Sequence, residues 1–114
     1  MIVASDGFLE MTGIEYVSLG RALYGDNLGS WVFECPQCGL RTSGEAFSMC
    51  ESDREKWYVR CLSNYVSDVG QCGWDSYENE TIPDGAWIID GHGVAPLVVP
   101  QGKEKIFESL MEQR

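Results

Sequence analysis

Trp31-Val32-Phe33-Glu34-Cys35-Pro36-Gln37-Cys38-Gly39 is the stretch that decides the fold style of this chain. Cys-Pro-x-Cys-Gly is the sequence of a metal knuckle: two thiols sit on one tight turn, whose freed backbone N–H groups can hydrogen-bond the sulfurs. Gly39 supplies the positive φ that lets the chain leave the turn without a Cβ clash. A closed structural zinc site needs four such thiolates, and the chain offers five cysteines. The favoured quartet is Cys35, Cys38, Cys61 and Cys72. Cys35 and Cys61 each end an aromatic, β-branched run, Trp31-Val32-Phe33 and Trp57-Tyr58-Val59, which suggests two strand-turn units facing each other across one ion. The second pair is widely spaced, so the insert from Asn64 to Gly70 is expected to loop away from the metal.

The other sulfur and nitrogen donors read differently. Cys50 is expected as a small hydrophobe on a short helix, and His92, between two glycines, as a surface turn residue. A rubredoxin-like iron site is disfavoured by the long second spacing. A zinc deaminase would need His-x-Glu before Pro-Cys-x-x-Cys, and here the only histidine follows the cysteines. No nucleophile–base pair or phosphate-cradling glycine loop is present either, so the expectation is a non-enzymatic protein with structural Zn2+.

Outward from the knuckle, Thr12-Gly13-Ile14-Glu15 matches a capping box that opens a helix, and Gly25 ends it. Ile14, Val17 and the Ala22-Leu23-Tyr24 group are placed on its apolar face, with Gly20 as a weak point. Leu40–Thr42 completes a hairpin with the strand before Cys35, and Thr42-Ser43-Gly44-Glu45 offers a cap for a short helix from Ala46 to Cys50. Trp57–Leu62 reads as the strongest strand. Ala86–Ile89 and Val94–Val99 flank Asp90-Gly91-His92-Gly93 as a second hairpin, with Pro96 pushing its second arm to a sheet edge. Lys103–Gln113 forms an amphipathic helix bearing Ile106, Phe107, Leu110 and Met111. The expected fold is α+β: a small zinc-stapled, zinc-ribbon-like antiparallel sheet with an N-terminal and a C-terminal helix. It divides into a helical lead-in over residues 1–30 and a core over 31–114, one domain in all.

Charge bounds the partners. Eighteen acidic residues against eight basic give a net charge of −10. Between Arg60 and Lys103 there is no Lys or Arg, while Asp68, Asp75, Glu78, Glu80, Asp84 and Asp90 all fall there. Such a field repels phosphates and attracts a basic groove. Trp74, Tyr77 and Trp87 share the window and are candidate aromatic anchors, with core packing around the zinc as the alternative. The alternative is a nucleic-acid-binding zinc ribbon using Arg41, Arg54, Lys56 and Arg60, but Glu45, Glu51, Asp53 and Glu55 are interleaved with them. The opening residues lack a secretory pattern, no apolar run reaches membrane length, and an odd cysteine count suits a reduced cytoplasm.

From Cys35 to Tyr77 the chain resembles a family of small zinc-ribbon-like proteins of bacteriophages and prophages. The matching residues are Cys35-Pro36-x-Cys38-Gly39, an aromatic run before Cys61-Leu62, then Gly70-x-Cys72-x-Trp74 and Tyr77. It departs at Gly73, where that pattern carries an acidic residue. The resemblance implies the same cysteine quartet and a phage or mobile-element origin. With the charge pattern, it makes a phage-encoded inhibitor of a host nucleic-acid-handling complex the expected function, acting by polyanion mimicry in the host cytoplasm.

Overall fold

A computed structural model describes residues 3–5, 8–78 and 81–112. The order is β1 (Val3–Ser5), β2 (Phe8–Met11), α1 (Gly13–Tyr24), β3 (Val32–Glu34), β4 (Arg41–Ser43), α2 (Gly44–Ser48), β5 (Trp87–Ile89), β6 (His92–Val94) and α3 (Glu104–Glu112). It is a small mixed α+β fold with two short sheets. One sheet runs β1-β2-β5-β6, and the other is the β3-β4 hairpin.

Each junction has a local cause. Thr12 accepts from the Glu15 N–H while Glu15 accepts from the Thr12 N–H, so the capping box closes and α1 starts where the sequence marks it. Replacing Thr12 with Ala is expected to cost about 1 kcal/mol, or about 4 °C in Tm, by thermal denaturation. Thr12→Ser should cost far less.

The helix buries Tyr16, Leu19 and Leu23, the i, i+3, i+7 stripe. The expected apolar face is therefore rotated: Ile14 is 81% exposed and Val17 is also on the surface. Gly20 has a packing reason. The Trp31 ring lies where its Cβ would stand, 2.2 Å away. That indole also donates to the Gly25 carbonyl at 2.9 Å, fastening the helix end to the start of the knuckle hairpin.

Two differences from the sequence reading matter. The lead-in is more than a helix, because β1 and β2 pair antiparallel and β2 then pairs in parallel with β5. A strand contact across more than 70 residues leaves no local periodicity to read. Trp57–Leu62, in turn, is not a strand of a sheet. It follows a single 3-10 turn over Arg54–Lys56 and makes one antiparallel bridge, Arg60 with Asp75. Its aromatic content serves the core instead: Trp57 stacks on Phe47 at 6.4 Å between ring centroids, and Phe47 meets Phe33 edge-on at 5.9 Å.

The β5–β6 hairpin has a tighter turn than expected. Ile89 pairs with His92, leaving only Asp90 and Gly91 in the loop, both at positive φ. Past β6 the chain joins the other sheet rather than ending at an edge. The Pro96 carbonyl accepts from Glu34 N–H, and Val98 N–H donates to the Val32 carbonyl, so Leu97 bridges Phe33. This crossing ties the two sheets together beside the knuckle. On α3, Phe107 stacks on Trp87 at 6.0 Å and Ile106 is more exposed; the side chains of Leu110 and Met111, and Gln113, lie outside the described residues.

Candidate metal centre

The four thiols of the expected quartet come together. The Sγ atoms of Cys35, Cys38, Cys61 and Cys72 all lie within 4.8 Å of one another, an arrangement that could hold a metal ion. Cys35 Sγ is 3.8 Å from Cys72 Sγ, and Cys38 Sγ is 3.7 Å from Cys61 Sγ. Four thiolates at about 2.3 Å around a tetrahedral zinc have sulfur–sulfur edges of about 3.8 Å. The residues present thus fit that ion in donor type, number and spacing.

The first knuckle is built as its sequence requires. Cys35 N–H donates to the Leu40 carbonyl and Gly39 N–H to the Cys35 carbonyl, both at 2.9 Å, which closes the turn. Gly39 takes φ of 79°. The Cys38 N–H points at Cys35 Sγ, 3.5 Å away.

The second half is held differently. Cys61 N–H donates to the Trp74 carbonyl at 2.9 Å and Ser76 N–H to the Val59 carbonyl at 2.8 Å, so two extended segments face each other for one bridge. Asn64 then clamps both sides, its side-chain amide donating to the carbonyls of Cys61 at 3.0 Å and Trp74 at 2.6 Å. Gly73, at φ 65°, donates to Ser63 Oγ and swings Cys72 toward the cluster. The insert between Cys61 and Cys72 does not simply loop out. Leu62 is buried and Tyr65 and Val66 pack on the core, while Asn64 and the stretch from Asp68 to Gln71 are exposed.

Electrostatics of the thiols follow from burial and from these N–H groups. Burial pushes the Cys35 thiol well above its ordinary range, although the N–H groups of Cys38 and Gln37 oppose this. Cys72 is also raised by burial, against the Trp74 N–H. For Cys38 burial acts in the same direction, but the Leu40 N–H and the neighbouring thiols outweigh it and lower its pKa. A bound cation would displace the protons that burial favours on Cys35 and Cys72. When bound, zinc would supply the compensating charge, and the backbone donors would share what negative charge remains on the sulfurs.

The other donors stand apart. Cys50 is exposed rather than buried, because the short helix α2 ends before it and turns Phe47 inward instead. His92 is exposed, with its ring 5.9 Å from that of Tyr77.

Of the acidic window, Asp68, Glu78, Asp84 and Asp90 are on the surface, as is Tyr77 at 63% exposure. Glu80 lies outside the described residues. Trp74 and Asp75 are inside the fold, at 1% and 6% exposure, and Trp87 is buried as well. Their sequence neighbours are polar, which made a surface position plausible; the bridge to Arg60 and Cys61 pulls this segment in.

Asp75 accepts from Arg60 Nε at 2.8 Å and from the Tyr77 N–H at 2.9 Å. Arg60 also donates to Tyr65 Oη, which donates to Glu51. This network braces the second half of the centre, and it and Asn64 are the supporting residues that sequence reasoning missed. No spacing rule points to them, since they meet only after the chain folds.

A protein-family model described as VVA0879-like matches residues 12–107. That range includes all four clustered cysteines and most of the chain, and the chain belongs to this family. No curated protein and no solved structure matches it.

Proposed function

We propose that this member of the VVA0879-like family is a non-enzymatic protein with a structural zinc site of zinc-ribbon type, whose acidic surface binds a basic face of a partner protein. The observation that carries the metal part is the pair of sulfur–sulfur distances, 3.7 and 3.8 Å, between thiols from two separate chain segments. Four sulfurs complete a tetrahedron and leave no open position for substrate, which suits structure rather than catalysis.

The partner part rests on charge. Asp68, Glu78, Asp84 and Asp90 are exposed in a window without a basic residue, and Tyr77 lies among them in sequence as an exposed aromatic. The resemblance to phage and prophage proteins directs the choice of target: a host nucleic-acid-handling complex of the cytoplasm, such as a defence nuclease or a polymerase, blocked where it would hold phosphate backbone. Two of the four cations of the nucleic-acid-binding alternative are already engaged within the chain, Arg41 with Glu34 at 3.1 Å and Arg60 with Asp75.

The test is capture of partners from bacterial lysate by tagged protein, with and without nuclease, read by mass spectrometry. A nuclease-resistant protein is expected, and Glu78→Lys/Asp84→Lys/Asp90→Lys should reduce its capture by about tenfold or more while metal content stays the same. Capture that vanishes with nuclease would transfer the reading to a nucleic-acid-binding ribbon. Undiminished capture by the triple variant would remove the mimicry.

A further inference from the structure

We propose that the four-cysteine cluster is also a peroxide-responsive site, in which oxidation joins Cys38 to Cys61 and Cys35 to Cys72 and releases the metal. This deepens the structural-zinc reading and rests on it.

The argument is the pattern of exposure across the two close sulfur pairs. Cys38 is exposed and its neighbour at 3.7 Å, Cys61, is buried; Cys72 is partly exposed and its neighbour at 3.8 Å, Cys35, is buried. Each pair therefore joins a cysteine on the solvent side to one held behind it. That is the arrangement of an attacked and a resolving cysteine, present twice. Both pairs also join different segments, the 35–38 turn on one side and the 61–72 segment on the other. The two bridges would tie together the same segments that the metal ties, so the centre can lose its ion and keep its chain connections.

The chemistry balances with hydrogen peroxide as oxidant. The Cys38 sulfur attacks one peroxide oxygen; the S–O bond forms, the O–O bond breaks and hydroxide leaves, to be protonated to water. The Cys61 sulfur then attacks the Cys38 sulfur, forming S–S and expelling a second hydroxide, which also becomes water. Two electrons pass from the sulfur pair to one peroxide. The same two steps at Cys72 and Cys35 consume a second peroxide. Zinc keeps its charge and leaves because its donors are gone.

The experiment uses the full chain carrying Cys50→Ser, which removes the exposed thiol outside the cluster, in zinc-loaded and in reduced metal-free form. Hydrogen peroxide is added, zinc release is followed with a chromogenic chelator, and bridges are mapped by non-reducing peptide mass spectrometry. The expected result is one zinc released per chain, a mass loss of two hydrogens for each of two bridges, and linkages 38–61 and 35–72. Thiol reductant should reverse all three.

Bridges 35–38 and 61–72, sulfinic or sulfonic products, or zinc that stays bound with reduced thiols would overturn the proposal. Should the chain take up no zinc yet form bridges 38–61 and 35–72 in the metal-free sample, the structural-zinc reading would fall while the pairing itself stood.

Discussion

Cys61→Ser is expected to abolish stoichiometric zinc binding and to lower stability by about 4 kcal/mol or more, or about 15 °C in Tm. Cys61 is among the most buried of the four sulfurs, at 2% exposure. Its backbone N–H and carbonyl hold Trp74 and Asn64 and are kept by Ser, so the substitution acts through the lost sulfur. Zinc binding supplies on the order of 10 kcal/mol of apparent free energy in small zinc-dependent peptides. This chain has an aromatic core beyond the site, built on Trp31, Phe33, Phe47 and Trp57, so part of the fold is expected to persist. Losing an outer-shell partner typically weakens metal affinity about 10–100-fold, and losing a sulfur should exceed that. Calorimetry with and without chelator, on this variant and on Cys50→Ser, separates the cases. Equal Tm values for Cys61→Ser, Cys50→Ser and the parent would contradict a structural site.

Trp74→Ala is expected to destabilise the chain by about 3–5 kcal/mol. Its side chain is among the largest that are fully buried, and its neighbours on either side are fixed by Cys72 and by the Asp75–Arg60 pair. An exposed interface anchor would behave in the opposite way, with binding lost and Tm unchanged. Tyr77→Ala provides that contrast, since Tyr77 is largely exposed and its truncation should change stability by no more than about 0.5 kcal/mol. Thermal denaturation of the two variants side by side distinguishes a core tryptophan from a surface one. Matching Tm values would return Trp74 to the surface.

The parts of the fold that could be read in advance are those with a local cause. Thr12 and Glu15 cap each other three residues apart, Gly25 stops the helix, and Cys35-Pro36-Gln37-Cys38-Gly39 fixes its own turn. The quartet itself was legible because cysteine chemistry in a knuckle demands partners, and Cys61 and Cys72 were the ones preceded by a strand-like run or followed by a glycine turn. What could not be read depends on distant chain. β1 and β2 are three and four residues long, and β2 is selected by its parallel pairing with β5. Trp57 and Val59 look like strand residues because buried side chains of either origin have the same composition. Asp75 looked like a surface acid because charge alone does not reveal that Arg60 waits fifteen residues earlier.

Among the described residues, no helix is long and apolar enough to cross a membrane. Within the acidic window, Asp75 is reassigned from the surface to the brace behind the metal centre.

The measurement closest to the central claim is the metal content of protein purified without chelator, by native mass spectrometry with elemental analysis on the same sample. The account expects one zinc per chain, lost in Cys61→Ser and kept in Cys50→Ser. Protein that is folded, reduced and carries zinc in fewer than half its molecules would contradict it.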